Sequence, residues 1–400
     1  MPQKMAIRNE AIKRLRGVFE KYGFEELQTP SLEYREALLG KYGEEAEKLM
    51  YLFKDPGGRD VGLKYDLTVP LARVAASYPD LPKPFKRYQI QPVWRAEKPQ
   101  KGRYREIYQC DIDTIGSSSP LSDAEIIAVI NDSLEALGFT NYKIRINSRS
   151  VLFSTMEKSG ILEKMWLSAI QSIDKLDKKN QEEIEKELAN KGLETEQIRD
   201  IFDFLKKATP DEFLSKVIDL AKDLGVKENL VFDPILSRGL DYYTGPIFES
   251  VVGEPKIGSV TGGGRYDKLL KTLGGPDLPA TGTTVGLDRV CDVIEELNLW
   301  PDINPTPTKV LVTVFSPELL VQSIEVAKTI RDGGINTETY PDENTKLDKQ
   351  LKYADKKGIP FVVIIGPEEA RKNIVVLKNL GTKKQISVNI NQLVSQISNY

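Results

Sequence analysis

The stretch from Phe85 to Gly116, FKRYQIQPVWRAEKPQKGRYREIYQCDIDTIG, restricts the fold more than any other part of this chain. It reads as a strand, a charged turn and a returning strand. Within the turn, Ala96 to Arg103, Pro99 and Gly102 sit among four charges, a composition that interrupts pairing and exposes backbone. On the return strand the period of two places Gln109, Asp111 and Asp113 on one face and Tyr108, Cys110 and Ile112 on the other. Arg95 closes the outgoing strand, and Arg103 and Arg105 open the return. An apolar back with an Arg/Gln/Asp front suits a site that holds an anion beside a cation. The same alternation fits a solvated outer face of an antiparallel sheet, and the pattern alone does not choose between them.

Composition narrows the chemistry. Four hundred residues allow two to three domains, and 40% hydrophobic with 29% charged residues is ordinary soluble globular composition. The first thirty residues are studded with charge and no long apolar run occurs, so neither a signal peptide nor a membrane span is expected, and the cytoplasm is the expected location. Cys110 and Cys291 form no CxxC pair, which indicates neither a disulfide framework nor a structural zinc site. A net charge of −3 argues against a general nucleic-acid binder, although the C-terminal third is mildly basic. The chain contains no histidine, which excludes Ser-His-Asp, Cys-His and HExxH chemistry. Carboxylates, arginines, tyrosines and backbone are what remain.

In chain order, apolar residues at Ile7, Ala11, Leu15, Val18 and Phe19 predict a helix over Met5 to Tyr22, followed by Phe24 to Leu27 and Thr29-Pro30. Gly62 to Pro70, GLKYDLTVP, reads as a strand on which Asp66 and Thr68 alternate to one face. A helix over Leu121–Leu137 and a strand over Tyr142–Asn147 come next. From about Arg149 to Leu230 the composition turns to Lys, Glu and Asp with helical spacing, which reads as a small helical insertion. The chain then returns to sheet with RGLDYYTG (238–245), TGGGRYD (261–267) and GTTVGLDR (282–289), the last entering an amphipathic helix. The triple glycine brings a backbone close to a ligand or makes a tight turn. Asn304-Pro305-Thr306-Pro307 is a linker, beyond which strands and helices alternate as in an α/β domain with a mostly parallel sheet.

The run Arg95-Ala96-Glu97, Pro99 to Arg105 and Gln109 to Asp113 resembles motif 2 of the class II aminoacyl-tRNA synthetases, in its histidyl-tRNA synthetase version. The helix leading to Pro30 resembles motif 1, Gly282 to Arg289 motif 3, and the RGLDYYTG octet is nearly diagnostic for the histidyl family. The resemblance implies an α/β fold (with an α+β catalytic domain), in which a class II antiparallel sheet is flanked by helices. It implies catalytic segments 1–148 and 231–303, a helical insertion 149–230 and an α/β anticodon-binding domain 307–400. The implied activity is ligation of histidine to tRNA with ATP, by a homodimer and with Mg2+ as cofactor.

By the same resemblance, Arg95 and Arg238 hold the α-phosphate or the substrate carboxylate, and Arg103 and Arg289 bind ATP, Arg289 at the γ-phosphate. Glu97 sits near adenine or an ATP-bound magnesium ion, and no side-chain motif for a metal is present. Asp66, Thr68 and Gln109 take the α-ammonium of histidine, Asp113, Tyr243 and Tyr266 surround its ring, and Tyr242 and Arg238 also belong to the histidine-binding set. A substrate lacking the ring nitrogens would leave Asp113 buried and unpaired, a penalty that gives discrimination on the order of 10⁴. The chain departs from the family at Lys64, where arginine is commoner, at Thr283 and Thr284, where the family is more apolar, and at Asp113, where glutamate occurs. A short segment that usually precedes the first helix is missing from this sequence. A non-catalytic relative, such as a regulatory subunit of ATP phosphoribosyltransferase, and a nucleic-acid-binding accessory factor are the rival readings. The first typically lacks the C-terminal domain and the octet's arginine, and the second has no use for Arg95, Arg238 and Arg289 together.

Overall fold

A computed structural model of the chain describes residues 1–39, 49–98, 104–177, 179–237, 242–272 and 274–399. It divides into two compact units, Ile7–Trp300 and Met1–Ala6 with Pro301–Tyr400.

The first unit is organised on a sheet of eight strands among the described residues. These are β1 (Glu25–Glu26), β5 (Phe85–Trp94), β6 (Glu106–Ile115), β7 (Tyr142–Ser148), β8 (Leu230–Phe232), β9 (Pro246–Val252), β10 (Ser259–Arg265) and β11 (Ala280–Gly286). They run in the order β1-β5-β6-β11-β10-β9-β7-β8, antiparallel except at the two ends, where β1 joins β5 and β8 joins β7 in parallel. A separate three-stranded sheet has the order β2 (Leu32–Tyr34), β4 (Asp60–Leu63), β3 (Leu52–Lys54). The central hairpin forms for the reason its alternation gives. Cys110 and Ile112 are fully buried against the helical layer, each large apolar side chain of that layer contributing roughly 1.5–3 kcal/mol, while Gln109, Asp111 and Asp113 take the other face. The helix Pro120–Ala136 starts where Ser119 accepts a hydrogen bond from Leu121 N with Pro120 at the first turn, and buries Ile126, Ile127, Ile130 and Leu134.

Two expectations change. The segment from Gly62 to Pro70 is not one strand: β4 ends at Leu63, and Thr68 opens a helix, Thr68–Ser77. Asp66 Oδ1 accepts from Val69 N at 3.1 Å, satisfying a donor of the first helical turn, and Pro70 falls within that turn, where its missing N–H costs nothing. The triple glycine lies inside β10, which excludes the tight turn and leaves the other alternative, a backbone close to a ligand.

Residues 149–223 are helical, as Arg149–Lys158, Glu163–Ile173, Gln181–Asn190, Thr195–Lys207 and Glu212–Asp223, with a short 3₁₀ turn at Asp174–Asp177. Most of them share an apolar cluster (Leu152, Ile170, Ile173, Ile184, Leu188, Ile201, Phe202) that continues to Leu236 and to Ile247 of β9.

The C-terminal unit carries β12 (Val310–Val312), β13 (Thr337–Thr339), β14 (Phe361–Ile364), β15 (Ile374–Asn379) and β16 (Gln385–Asn389), ordered β13-β12-β14-β15-β16. Its sheet is half parallel rather than mostly parallel: β12 pairs in parallel with β13 and β14, whereas β14–β15 and β15–β16 are antiparallel. The link from β14 to β15 holds only the short helix Pro367–Lys372, too little chain for a parallel crossover. No helix among the described residues is long and apolar enough to cross a membrane.

Candidate active site

A cavity of about 420 Å³ opens on the polar face of the large sheet. Nine of the residues singled out in the sequence line it: Asp66, Thr68, Arg95, Gln109, Asp113, Tyr242, Tyr243, Tyr266 and Arg289. Glu97 does not, although it follows Arg95 closely. Ala96 N donates to Leu49 O at 2.8 Å, which draws the backbone toward another segment directly after the arginine. Arg103 and Arg238 lie outside the described residues.

The floor is set by strand register. Along β6, Gln109, Asp111 and Asp113 stand opposite Gln91, Gln89 and Arg87 of β5 on one side, and opposite Gly286, Thr284 and Gly282 of β11 on the other. Arg87 and Asp113 form an ion pair at 2.7 Å with both side chains buried. The Tyr266 hydroxyl donates a short hydrogen bond to Asp113 Oδ1. Gln109 Nε2 donates to Thr284 Oγ1 at 3.2 Å, while Gln109 Oε1 is buried with no hydrogen-bond partner among the described residues. That orphaned acceptor suits an incoming N–H donor.

Burial raises the carboxyl of Asp113, and the Arg87 guanidinium opposes the rise. Burial also pushes Asp111 up to about 7, against Arg87 and with repulsion from Asp113 and Asp66. The folded state therefore holds a proton on Asp111 more tightly than the unfolded chain, whose carboxyl has the ordinary value of 3.8. Stability from that proton is complete below pH 4 and is lost as the pH rises through about 7. Asp111→Asn is expected to flatten this dependence by at least about 1 kcal/mol in urea unfolding between pH 5 and pH 8. Identical slopes for the two proteins would count against a protonated Asp111.

The walls bring in cations. Arg95 stacks over the Tyr65 ring at 4.4 Å and donates from Nε to Tyr65 O at 3.2 Å. Arg289 sits in the first turn of the helix Leu287–Glu296 and donates from Nη1 to Ser259 O at 2.6 Å. Beside it, Asp288 is fixed by Arg8 at 2.6 Å and by Tyr108 N at 2.9 Å. Tyr242 packs on Tyr243 with centroids 4.7 Å apart and meets the edge of Tyr266 at 6.0 Å. Ahead of residue 238, Asn147 Nδ2 anchors the chain by donating to Pro234 O and Leu236 O at 3.0 and 2.9 Å.

Sequence reasoning passed over Tyr65, Asp174 and Arg87, gave Asp111 no role in the site, and set Thr284 only where adenine packs. Arg87 had a readable signal: Arg87, Gln89 and Gln91 repeat at period two on the outgoing strand, as the acidic residues do on the return. Asp174 had none, since the helical segment brings it to the cavity through tertiary packing.

Residues 1–290 match the family model described as histidyl-tRNA synthetase, and residues 309–400 match an anticodon binding domain. A histidine–tRNA ligase of Aeropyrum pernix is 39% identical over 99% of this chain and 95% of its own length. One of Gloeobacter violaceus is 38% identical over 96% of this chain and 93% of its own. Among solved structures, a histidyl-tRNA synthetase from Nostoc sp. PCC 7120 superposes with a TM-score of 0.85 at 31% identity, covering 100% of this chain and 96% of that one. A Bacillus halodurans protein described as an ATP phosphoribosyltransferase regulatory subunit/histidyl-tRNA synthetase has a TM-score of 0.71 at 21% identity, covering 87% and 92%. That likeness extends to the fold and no further.

Proposed function

Because this chain belongs to the histidyl-tRNA synthetase family and is a histidine–tRNA ligase, we propose a role for each group of the cavity. Histidine's α-ammonium is taken by Asp66, Thr68 and Gln109, whose orphaned Oε1 is an acceptor waiting for it. Its imidazole lies against Asp113, Tyr242, Tyr243 and Tyr266. The substrate carboxylate arrives ionised and attacks the α-phosphate of ATP, so this step needs no protein base, which suits a chain without histidine. Alignment and charge neutralisation carry the step. Arg95 and Arg238 act at the α-phosphate or the carboxylate and Arg103 and Arg289 elsewhere on ATP, each offering a planar fork to phosphate oxygens. Pyrophosphate leaves, and a ribose hydroxyl of tRNA then takes the histidyl group from the adenylate.

Among the described residues no group of three or more acidic or cysteine side chains is placed to hold a metal ion. Magnesium enters with the ATP phosphates, whose charge it shields. Glu97 is the side chain closest in sequence to that task, and its position off the cavity wall argues for an indirect part.

Segments 1–148 and 231–303 are catalytic, 149–230 is an insertion over the acceptor arm, and 307–400 reads the anticodon end. The enzyme works in the cytoplasm as a homodimer, and exposed Leu32, Tyr34 and Phe53 on the small sheet are suited to the interface. The observation that carries the amino-acid assignment is Asp113, buried on the cavity floor and hydrogen-bonded by Tyr266. Asp113→Ala is expected to raise the histidine KM and lower kcat in histidine-dependent pyrophosphate exchange, by about 100-fold in kcat/KM, with the ATP KM little changed. Unaltered histidine kinetics would remove Asp113 from the pocket.

A further inference from the structure

We propose that Arg87 is the positioning residue of the amino-acid pocket, a buried guanidinium that braces both the ring-binding and the ammonium-binding halves and keeps Asp113 an acceptor. The inference rests on Asp113 facing the imidazole.

Arg87, the third residue of β5, is fully buried and does not line the cavity, so it reaches substrate only through others. Its Nη2 stands 2.7 Å from Asp113 Oδ2 as an ion pair. The same Nη2 donates at 3.3 Å to Leu67 O, the carbonyl between Asp66 and Thr68, and Nη1 donates at 3.3 Å to Gln89 Oε1. A single side chain thus ties the ring-reading carboxylate to the segment that carries two of the three ammonium ligands.

The guanidinium is itself held by a polar row behind the pocket. Gln89 Nε2 donates to Thr29 Oγ1 at 2.8 Å and to Gln91 Oε1 at 2.6 Å, and buried Lys64 closes the row by donating to Gln91 Oε1 at 2.6 Å and Thr29 O at 3.2 Å. The row runs through residues 89 and 91, which share one face of β5 with Arg87. A lysine at position 64 fits this row, since its single point donor ends on one amide oxygen and one carbonyl.

The charge arrangement gives the brace a chemical consequence. The charged and titratable groups around Asp113 are Arg87 from β5, Asp111 on its own strand, Asp66 ahead of the helix Thr68–Ser77, and Tyr266 after β10, with Tyr243 beside Tyr266. Lys64 is the next cation behind Arg87. Three carboxylates thus crowd around one guanidinium, and burial favours the neutral forms of Asp111 and Asp113. Without Arg87, burial and the neighbouring carboxylates act unopposed on Asp113 and favour its protonated form, a donor where the substrate ring needs an acceptor. With Arg87 in place, the pocket selects a ligand that brings an N–H to the floor and a cation to Asp66.

The test is pyrophosphate exchange on Arg87→Met and Arg87→Lys from pH 6 to pH 9, with histidine and ATP varied separately. Arg87→Met is expected to raise the histidine KM by about 30-fold or more at pH 7 while the ATP KM moves by less than about threefold. Its deficit should shrink toward pH 9, shifting the profile of kcat/KM for histidine to higher pH. Arg87→Lys, which keeps the charge but not the fork, should recover a large part of the loss. Equal losses for histidine and ATP, with no shift of the pH profile and no rescue by lysine, would reduce Arg87 to a structural residue and overturn the proposal. If the methionine variant does not fold, the lysine variant decides: a histidine KM raised about 3- to 10-fold with ATP unaffected supports the brace, and an unchanged histidine KM overturns it. Asp113→Ala separates the two readings. If that variant is silent, the assignment of the pocket fails; if it is damaging while Arg87→Met is silent, only the present inference fails.

Discussion

Replacing Arg238 with alanine is expected to slow adenylate formation by about 10² to 10³ while leaving folding and tRNA binding intact. The motive is chemical. As the histidine carboxylate attacks, negative charge grows on the α-phosphate oxygens, and no group with a histidine's titration is available to answer it in a chain without histidine. A guanidinium aimed at that charge acts more strongly in the transition state than on bound substrates, so its removal lowers kcat more than it raises KM. Arg95 and Arg289 come to the cavity from separate elements, each with one donor held by Tyr65 O or Ser259 O and each with its own proposed contact to the substrates, so neither makes Arg238 redundant. The chain on either side of residues 238–241 is anchored at the site, through Asn147 before it and the Tyr242–Tyr243 pair after it. Lysine at position 238 should rescue only partly, because a point charge lacks the two-pronged geometry. Single-turnover adenylate formation and pyrophosphate exchange measure the effect. Near-normal rates in the alanine variant would take Arg238 out of the chemical step.

Much of this architecture is legible in the sequence because its local signals agree. The hairpin of β5 and β6 has an unbroken period of two across Gln109, Asp111 and Asp113, and the amphipathic stripe of Ile7, Ala11, Leu15, Val18 and Phe19 ends up buried as a unit. What was missed has identifiable physical causes. The segment around Asp66 carries alternating polar residues, which look like a strand, but Asp66 spends a side-chain oxygen on Val69 N and starts a helix. Both Asp66 and Thr68 still line the cavity, although a loop and a helix start rather than a strand carry them there. In the C-terminal unit, alternating strands and helices suggested parallel order, and only the length of each link decides it. Arg87 was passed over because a basic residue on a strand usually faces solvent. Its burial depends on Asp113, 26 positions later in the chain, standing directly opposite. Triple glycine was ambiguous for a related reason: what a glycine makes room for belongs to the neighbouring strand and cannot be read from its own.

A second large effect is expected at Gly282. A Cβ on this residue would stand 2.0 Å from Asp113 Oδ1 and 2.6 Å from Ile112 O, since Gly282 lies directly across from Asp113 in the β6–β11 register. One flank of the carboxylate is taken by Arg87 and its Oδ1 by Tyr266, so it cannot swing away without breaking one of those bonds. On the far side of Gly282, Gly263 is equally confined, its own Cβ falling 2.1 Å from Gly282 O, which blocks relief by shifting β11 toward β10. Gly282→Ala is therefore expected to cost about 1–3 kcal/mol of stability from overpacking, and to lower kcat/KM for histidine by about 100-fold through displacement of Asp113. The ATP KM should change far less. Urea unfolding and pyrophosphate exchange on Gly282→Ala, Asp113→Ala and the double variant separate the causes. If the clash is with the carboxylate, truncating Asp113 returns part of the stability lost at Gly282, and the double variant uses histidine no worse than Asp113→Ala alone. Strict additivity would assign the clash to the Ile112 carbonyl instead, and histidine kinetics within a few-fold of the parent would show that Asp113 does not need the space that Gly282 leaves.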